Sequence, residues 1–207
     1  MENKFFTFIK PYLIAIDNGS LFRRPFKWLY ALIAIFNLLA PFYLLNQAIE
    51  NKVFDSPFKV IIAFLFIWII IAFVSWISFQ LWWNRKEKVE TVSQNGDDFI
   101  ATPVFSHFIQ TLGEWIGTWV GIIGFSANIL ILIFIGSDNF DFSNLSTLHG
   151  LITLDGTLSS AFIMLIIGFL IIVFARFIAE QIRALAAIAN NTKKEIGQKE
   201  AESTTYQ

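Results

Sequence analysis

Residues 113–137 read GEWIGTWVGIIGFSANILILIFIGS, and the fold class turns on them. No charged residue occurs from Trp115 to Ser137. That run is long enough to cross a hydrocarbon core of about 30 Å as a helix rising about 1.5 Å per residue. Four glycines, Gly113, Gly117, Gly121 and Gly124, recur three or four residues apart. Glycine costs about 1 kcal/mol relative to alanine inside a soluble helix, so its repetition at helical spacing implies a surface that has to be small. At about 100° per residue the last three glycines fall at roughly 40°, 80° and 20° from Gly113, a single narrow stripe. Gln110 and Asn128 fall near 60° and Glu114 near 100° on the same scale, whereas Trp115, Trp119, Ile122, Ile123 and Leu130 occupy the bulky far side (roughly 180° to 280°).

Three more runs carry no charge: Trp28 to Ile49, Val60 to Asn84 and Gly156 to Ala175. The chain of 207 residues is 56% hydrophobic and only 15% charged, with a mean hydropathy of +0.61. A soluble domain of this length needs more charge on its surface. The expected architecture is therefore all-α, an integral membrane four-helix bundle with spans at 27–49, 59–84, 112–136 and 156–177 within a domain 23–183. Residues 1–22 mix Phe5, Phe6, Phe8, Ile9, Leu13, Ile14 and Ile16 with Lys4, Lys10 and Asp17, which suits an amphipathic helix lying in the membrane interface. Residues 184–207 read as a cytoplasmic helical extension that gives way, from Gly197, to a polar and disordered tail.

Lys and Arg orient the bundle, because they collect on cytoplasmic flanks. Thirteen of them fall in the N-terminal segment, after the second span and after the fourth, against only Lys52 and Lys59 on the other side. Both termini are thus expected in the cytoplasm. Trp28, Trp82, Trp83 and Trp115 lie at the same ends, where indole rings settle at headgroup depth. The N-terminal apolar run is too short and too interrupted, by Lys10 and Pro11, for a cleavable signal. Without cysteine there is no thiolate chemistry or Cys-based zinc site, and the dispersed basic residues do not suit nucleic acid. The connection 138–155 holds Asp138, Asp141, His149 and Asp155 without the spacing of a calcium loop, so neither metal nor cofactor is expected.

In lipid no hydrophobic drive pulls helices together, so close backbone approach and interhelical hydrogen bonds decide association. Gly113, Gly117, Gly121, Gly124 and Asn128 are expected to form a packing face. Its partner is either another helix of the chain, the same helix in a second copy, or another subunit. Pro41 within the first span implies a kink, and Asn37 stands four residues before it, able to reach the freed carbonyl or a neighbouring helix. Glu114, at the membrane boundary, needs water or a partner. Arg176 ends the fourth charge-free run at the matching depth, and Arg176, Glu180 and Arg183 share a helical face by their spacing. A Glu114–Arg176 clamp, separate snorkelling of the two side chains, and a pore-lining Glu114 all stand as readings.

The run ARFIAEQIRALAAIANNTKK, 175–194, resembles the end of a family of small uncharacterised prokaryotic membrane proteins. Their last span ends in an Arg, a Glu four residues on and an Ile-x-x-Asn-Thr-like helix, here Arg176, Glu180, Ile188, Asn191 and Thr192. The resemblance covers about 20 residues, implies a bacterial inner membrane, and brings no activity with it.

An intramembrane enzyme would present paired carboxylates, a His cluster or a Ser-Lys arrangement within the bilayer, and the charge-free spans offer none. The expected function is that of a non-enzymatic membrane protein, a scaffold or accessory subunit of a membrane complex. Its partners would be the lipid bilayer and either further copies or another membrane protein. The alternative is a homo-oligomeric ion channel lined by Gln110, Glu114, Thr118 and Asn128 of the third span.

Overall fold

The computed structural model describes residues 9–17, 20–91, 101–134 and 154–205, and in these the regular structure is helical. Helix α1 is Lys10–Asp17, α2 Ser20–Glu50, α3 Phe58–Arg85, α4 Lys88–Thr91, α5 Ala101–Phe134 and α6 Leu158–Thr205. Among the described residues four helical stretches are long and apolar enough to cross a membrane: Arg23–Glu50, Phe58–Arg85, Ala101–Phe134 and Leu158–Lys199.

Local chemistry accounts for the boundaries. Helix α2 stops where Lys52 turns into the left-handed region at φ 54°, while the Asn51 side chain donates to the Gln47 carbonyl at 2.8 Å. A 3-10 turn over Val53–Asp55 then leads to Pro57, whose extended backbone opens α3. Pro103 lies in the first turn of α5, where a missing N–H costs nothing. Helix α6 opens on Thr157, whose hydroxyl accepts from the Ser160 amide at 3.2 Å, and the Ser160 hydroxyl donates to Asp155.

Two expectations change. Helix α5 begins eleven residues before the predicted third span, because the polar side chains of its first turns find partners on other helices. Helix α6 continues through Gly197 to Thr205 where a disordered tail is predicted. Gln198, Lys199, Glu200 and Ala201 are strong helix formers, and a single exposed glycine at a cost of about 1 kcal/mol does not interrupt them. Of the N-terminal segment, α1 is helical and touches α2, with Ile9, Tyr12, Leu13 and Ile14 exposed. Residues 1–8, the Asn18-Gly19 step and the carboxylates Asp138 and Asp141 with His149 lie outside the described residues.

The long helices pack in the order α2, α3, α5, α6. Contact is most extensive between α5 and α6, followed by α2 with α3 and α3 with α5, and α2 touches α5 only lightly. Among the described residues α6 has α5 as its one substantial partner, so the bundle is open and does not close from α6 back to α2. Where α2, α3 and α5 converge, Tyr30, Ala34, Trp82, Val89 and Val104 form a fully buried cluster with Phe26, Phe79, Phe108 and Trp115 against it. The Tyr30 and Trp82 rings meet edge to face at 4.8 Å.

This core corrects the expected tryptophan belt. Trp82 is fully buried, whereas Trp83 is exposed with the Lys86 ammonium over its ring, and Trp28 is 77% exposed. Neighbouring helical positions differ by about 100°, so one of the Trp82–Trp83 pair enters the bundle and the other faces away from it. Three other indoles tie helices together by N–H donation. Trp68 donates to the Pro41 carbonyl at 2.9 Å, Trp115 to Asn37 Oδ1 at 2.8 Å and Trp119 to the Ser78 hydroxyl at 2.7 Å. Asn37, which also donates to the Ile33 carbonyl, thus links α2 to α5.

Candidate functional site

The small-residue stripe of α5 lies against α6 of the same chain. Gly113, Gly117, Gly121, Gly124 and Asn128 are all buried. A methyl group added at Gly117 would come against the Gly168 carbonyl and the Ile172 side chain, and one at Gly113 would overlap the Ala175 methyl. Gly168 is the counterpart on α6: a Cβ there would stand 2.7 Å from both the amide nitrogen and the Cα of Gly121. The two backbones approach closely because glycine faces glycine. At the far end Asn128 donates to the Gly124 carbonyl at 2.8 Å and accepts from the Gly156 amide at 3.1 Å. Gly156 itself needs its φ of +62° and leaves no room for a side chain beside Ile131.

The opposite end of the α5–α6 seam carries the charged groups. Arg176 Nε donates to Glu114 Oε1 at 2.8 Å. The second carboxylate oxygen, Oε2, pairs with Arg85 at the end of α3. Gln110 donates to Glu114 at 3.0 Å, while Arg183 donates one Nη to Gln110 Oε1 at 3.0 Å and its Nε to the Ala179 carbonyl at 3.2 Å. One carboxylate therefore joins α3, α5 and α6. Ser106 adds a hydrogen bond of 2.6 Å to the Ala179 carbonyl.

A neutral branch runs inward from Arg85. Its guanidinium donates to the Thr111 hydroxyl at 3.2 Å, and Thr111 donates to the His107 carbonyl at 2.9 Å. Tyr30 from α2 places its hydroxyl 3.3 Å from Thr111 and 2.8 Å from His107 Nδ1. Tyr30 has one proton for these two neighbours, so the His107 tautomer decides which of them it serves. All four long apolar helices thereby reach one polar network.

The sequence points to Glu114 and Arg176 by their depth, and the structure brings them together. Glu180 stays apart: it is exposed, and among the described residues it joins none of these bonds. Arg85 was legible only as a topological charge. It ends the second charge-free run as Arg176 ends the fourth, and that common position is the signal that would have paired it with Glu114. Gln110 and Thr111 carry no such signal, since their part depends on which faces α3 and α6 present. Among the described residues no group of three His, Asp or Glu side chains is placed to hold a metal ion. No family model matches the chain, and neither the curated proteins nor the solved structures yield a significant match.

Proposed function

We propose that the chain is a non-enzymatic integral membrane protein of a bacterial inner membrane, with both termini in the cytoplasm, acting as a scaffold or accessory subunit of a membrane complex. One observation carries this reading: α6 is far longer than its membrane crossing and is packed on one side only. At about 1.5 Å per residue its 48 residues extend about 72 Å, and a crossing takes roughly 20 residues. More than half of the helix therefore lies beyond the hydrocarbon. On that part Leu185, Ile188 and Ile196 are exposed, at 67%, 62% and 52%. Apolar side chains repeated along a helix in water suit a partner's surface. The resemblance of residues 175–194 to the ends of small prokaryotic membrane proteins agrees with the bacterial assignment.

The channel reading needs Gln110, Glu114, Thr118 and Asn128 to face a common axis between copies. Here Asn128 and Glu114 are buried among the helices of one chain, and Gln110 is bonded to Glu114 and Arg183, which favours the scaffold. Mass measurement in mild detergent separates the two. A monomer, or a stoichiometric complex with another protein that is lost when Leu185 and Ile188 are both changed to Gln, is the expected result. A defined homo-oligomer with cation flux in liposomes would overturn it.

A further inference from the structure

We propose that the charged end of the bundle is a binding site for the phosphate of an anionic phospholipid, held by Lys88 together with Arg85, Arg176 and Arg183 beside Glu114. The inference rests on the membrane reading above and starts from charge. Two guanidiniums pair with the Glu114 carboxylate, and a third, that of Arg183, is held beside it through Gln110. Glu180, the other acid on that part of α6, is exposed and bonds to none of them. Within this bonded cluster the arginines outnumber the carboxylate three to one, with Glu180 and Glu87 exposed at its margin, and such an excess of positive charge at headgroup depth attracts an anion. Trp83, exposed beneath Lys86 and two residues from Arg85, marks this edge as headgroup depth.

The guanidiniums are also pre-organised, with donors to spare. Arg176 uses only Nε on Glu114, and its side chain is 54% exposed, so its terminal fork faces outward. Arg183 is held by Gln110 and the Ala179 carbonyl and keeps its second Nη for another acceptor. A phosphate accepts several such donors at once, and the cost of ordering the arginines has already been met by Glu114 and Gln110. Beside Arg85 an open groove of about 330 Å³ is lined by Ile77, Gln80, Leu81, Asn84, Arg85 and Lys88. Its order along α3, apolar at Ile77 and Leu81 and basic at Arg85 and Lys88, is that of a phospholipid from chain to headgroup. That order favours a lipid over soluble phosphate as the source of the anion.

The test uses the full chain in neutral detergent, with dioctanoyl phosphatidylglycerol, dioctanoyl phosphatidylcholine or sodium phosphate added. Thermal stability and the number of bound lipids by native mass spectrometry are the readouts. Phosphatidylglycerol is expected to raise the melting temperature and to be retained at one per chain, while phosphatidylcholine and sodium phosphate do neither. Lys88→Gln with Arg183→Gln leaves both ion pairs of Glu114 in place, so the protein still folds, and should weaken phosphatidylglycerol binding about tenfold or more. Glu180→Gln should keep or strengthen it, and Lys52→Gln at the far end should leave it unchanged. Equal effects of the two lipids, or full binding by the double variant, would overturn the proposal. A shift produced in full by sodium phosphate would overturn the lipid source. Failure here would leave the measured mass and partner dependence of the chain untouched, so it is distinguishable from failure of the scaffold reading.

Discussion

At the scale of single residues the α5–α6 seam separates glycines that are required from glycines that are only small. A methyl at Gly121 would stand 3.7 Å or more from its neighbours, an ordinary contact, whereas one at Gly124 would come within 2.9 Å of the Met164 Cβ and force Met164 to shift. At Gly117 and Gly168 the obstacle is backbone, which cannot turn aside. Gly117→Ala and Gly168→Ala are therefore expected to destabilise by about 1–3 kcal/mol, the usual cost of overpacking. Gly121→Ala should be close to neutral, because added contact and lower chain entropy offset a small displacement. Thermal unfolding of the three alanine variants in detergent checks the ranking, and equal losses at Gly117 and Gly121 would mean that the seam is packed otherwise.

Between elements, Glu114 is the joint of α3, α5 and α6, and its two arginines are unequal. Arg85 has a side chain 18% exposed, whereas that of Arg176 is 54% exposed and screened by water. Arg85→Gln should thus cost more stability than Arg176→Gln, and Glu114→Gln should cost more than either, because it leaves both cations uncompensated. A double-mutant cycle on Glu114 and Arg176 should give a coupling of about 1 kcal/mol or less, as expected of a half-exposed pair. Coupling of Glu114 to Arg85 should be the larger of the two. If both pairs prove additive, the three helices are held by the seam and the indole hydrogen bonds alone.

For the whole molecule the basic residues make a definite topological prediction. Reporter fusions after Gln207 and between Lys86 and Asp98 should read cytoplasmic, and a fusion near Ser146 should read external. A cytoplasmic signal at Ser146 would remove the reading of four crossings. The open packing order has a consequence as well. Among the described residues α5 is the one substantial partner of α6, so the far side of α6, which includes Phe162, Phe169, Phe174 and Phe177, is exposed. The same face continues along the helix into the exposed Leu185 and Ile188.

The sequence alone determined that four apolar helices exist and roughly where each runs, because solvation by hydrocarbon acts on every residue of a segment separately and adds along it. It also determined that one face of α5 is small and polar, since helical periodicity is a local property. Which helix meets that face was decided by the tertiary structure: Gly168 on α6 lies opposite Gly117 and Gly121, and no feature of either run alone specifies the register between them. The same holds for Trp82 entering the core while Trp83 does not, and for Arg85 reaching the free oxygen of Glu114. Each depends on how one helix is rotated against another, a relation that exists only between elements and is settled by the packing of both.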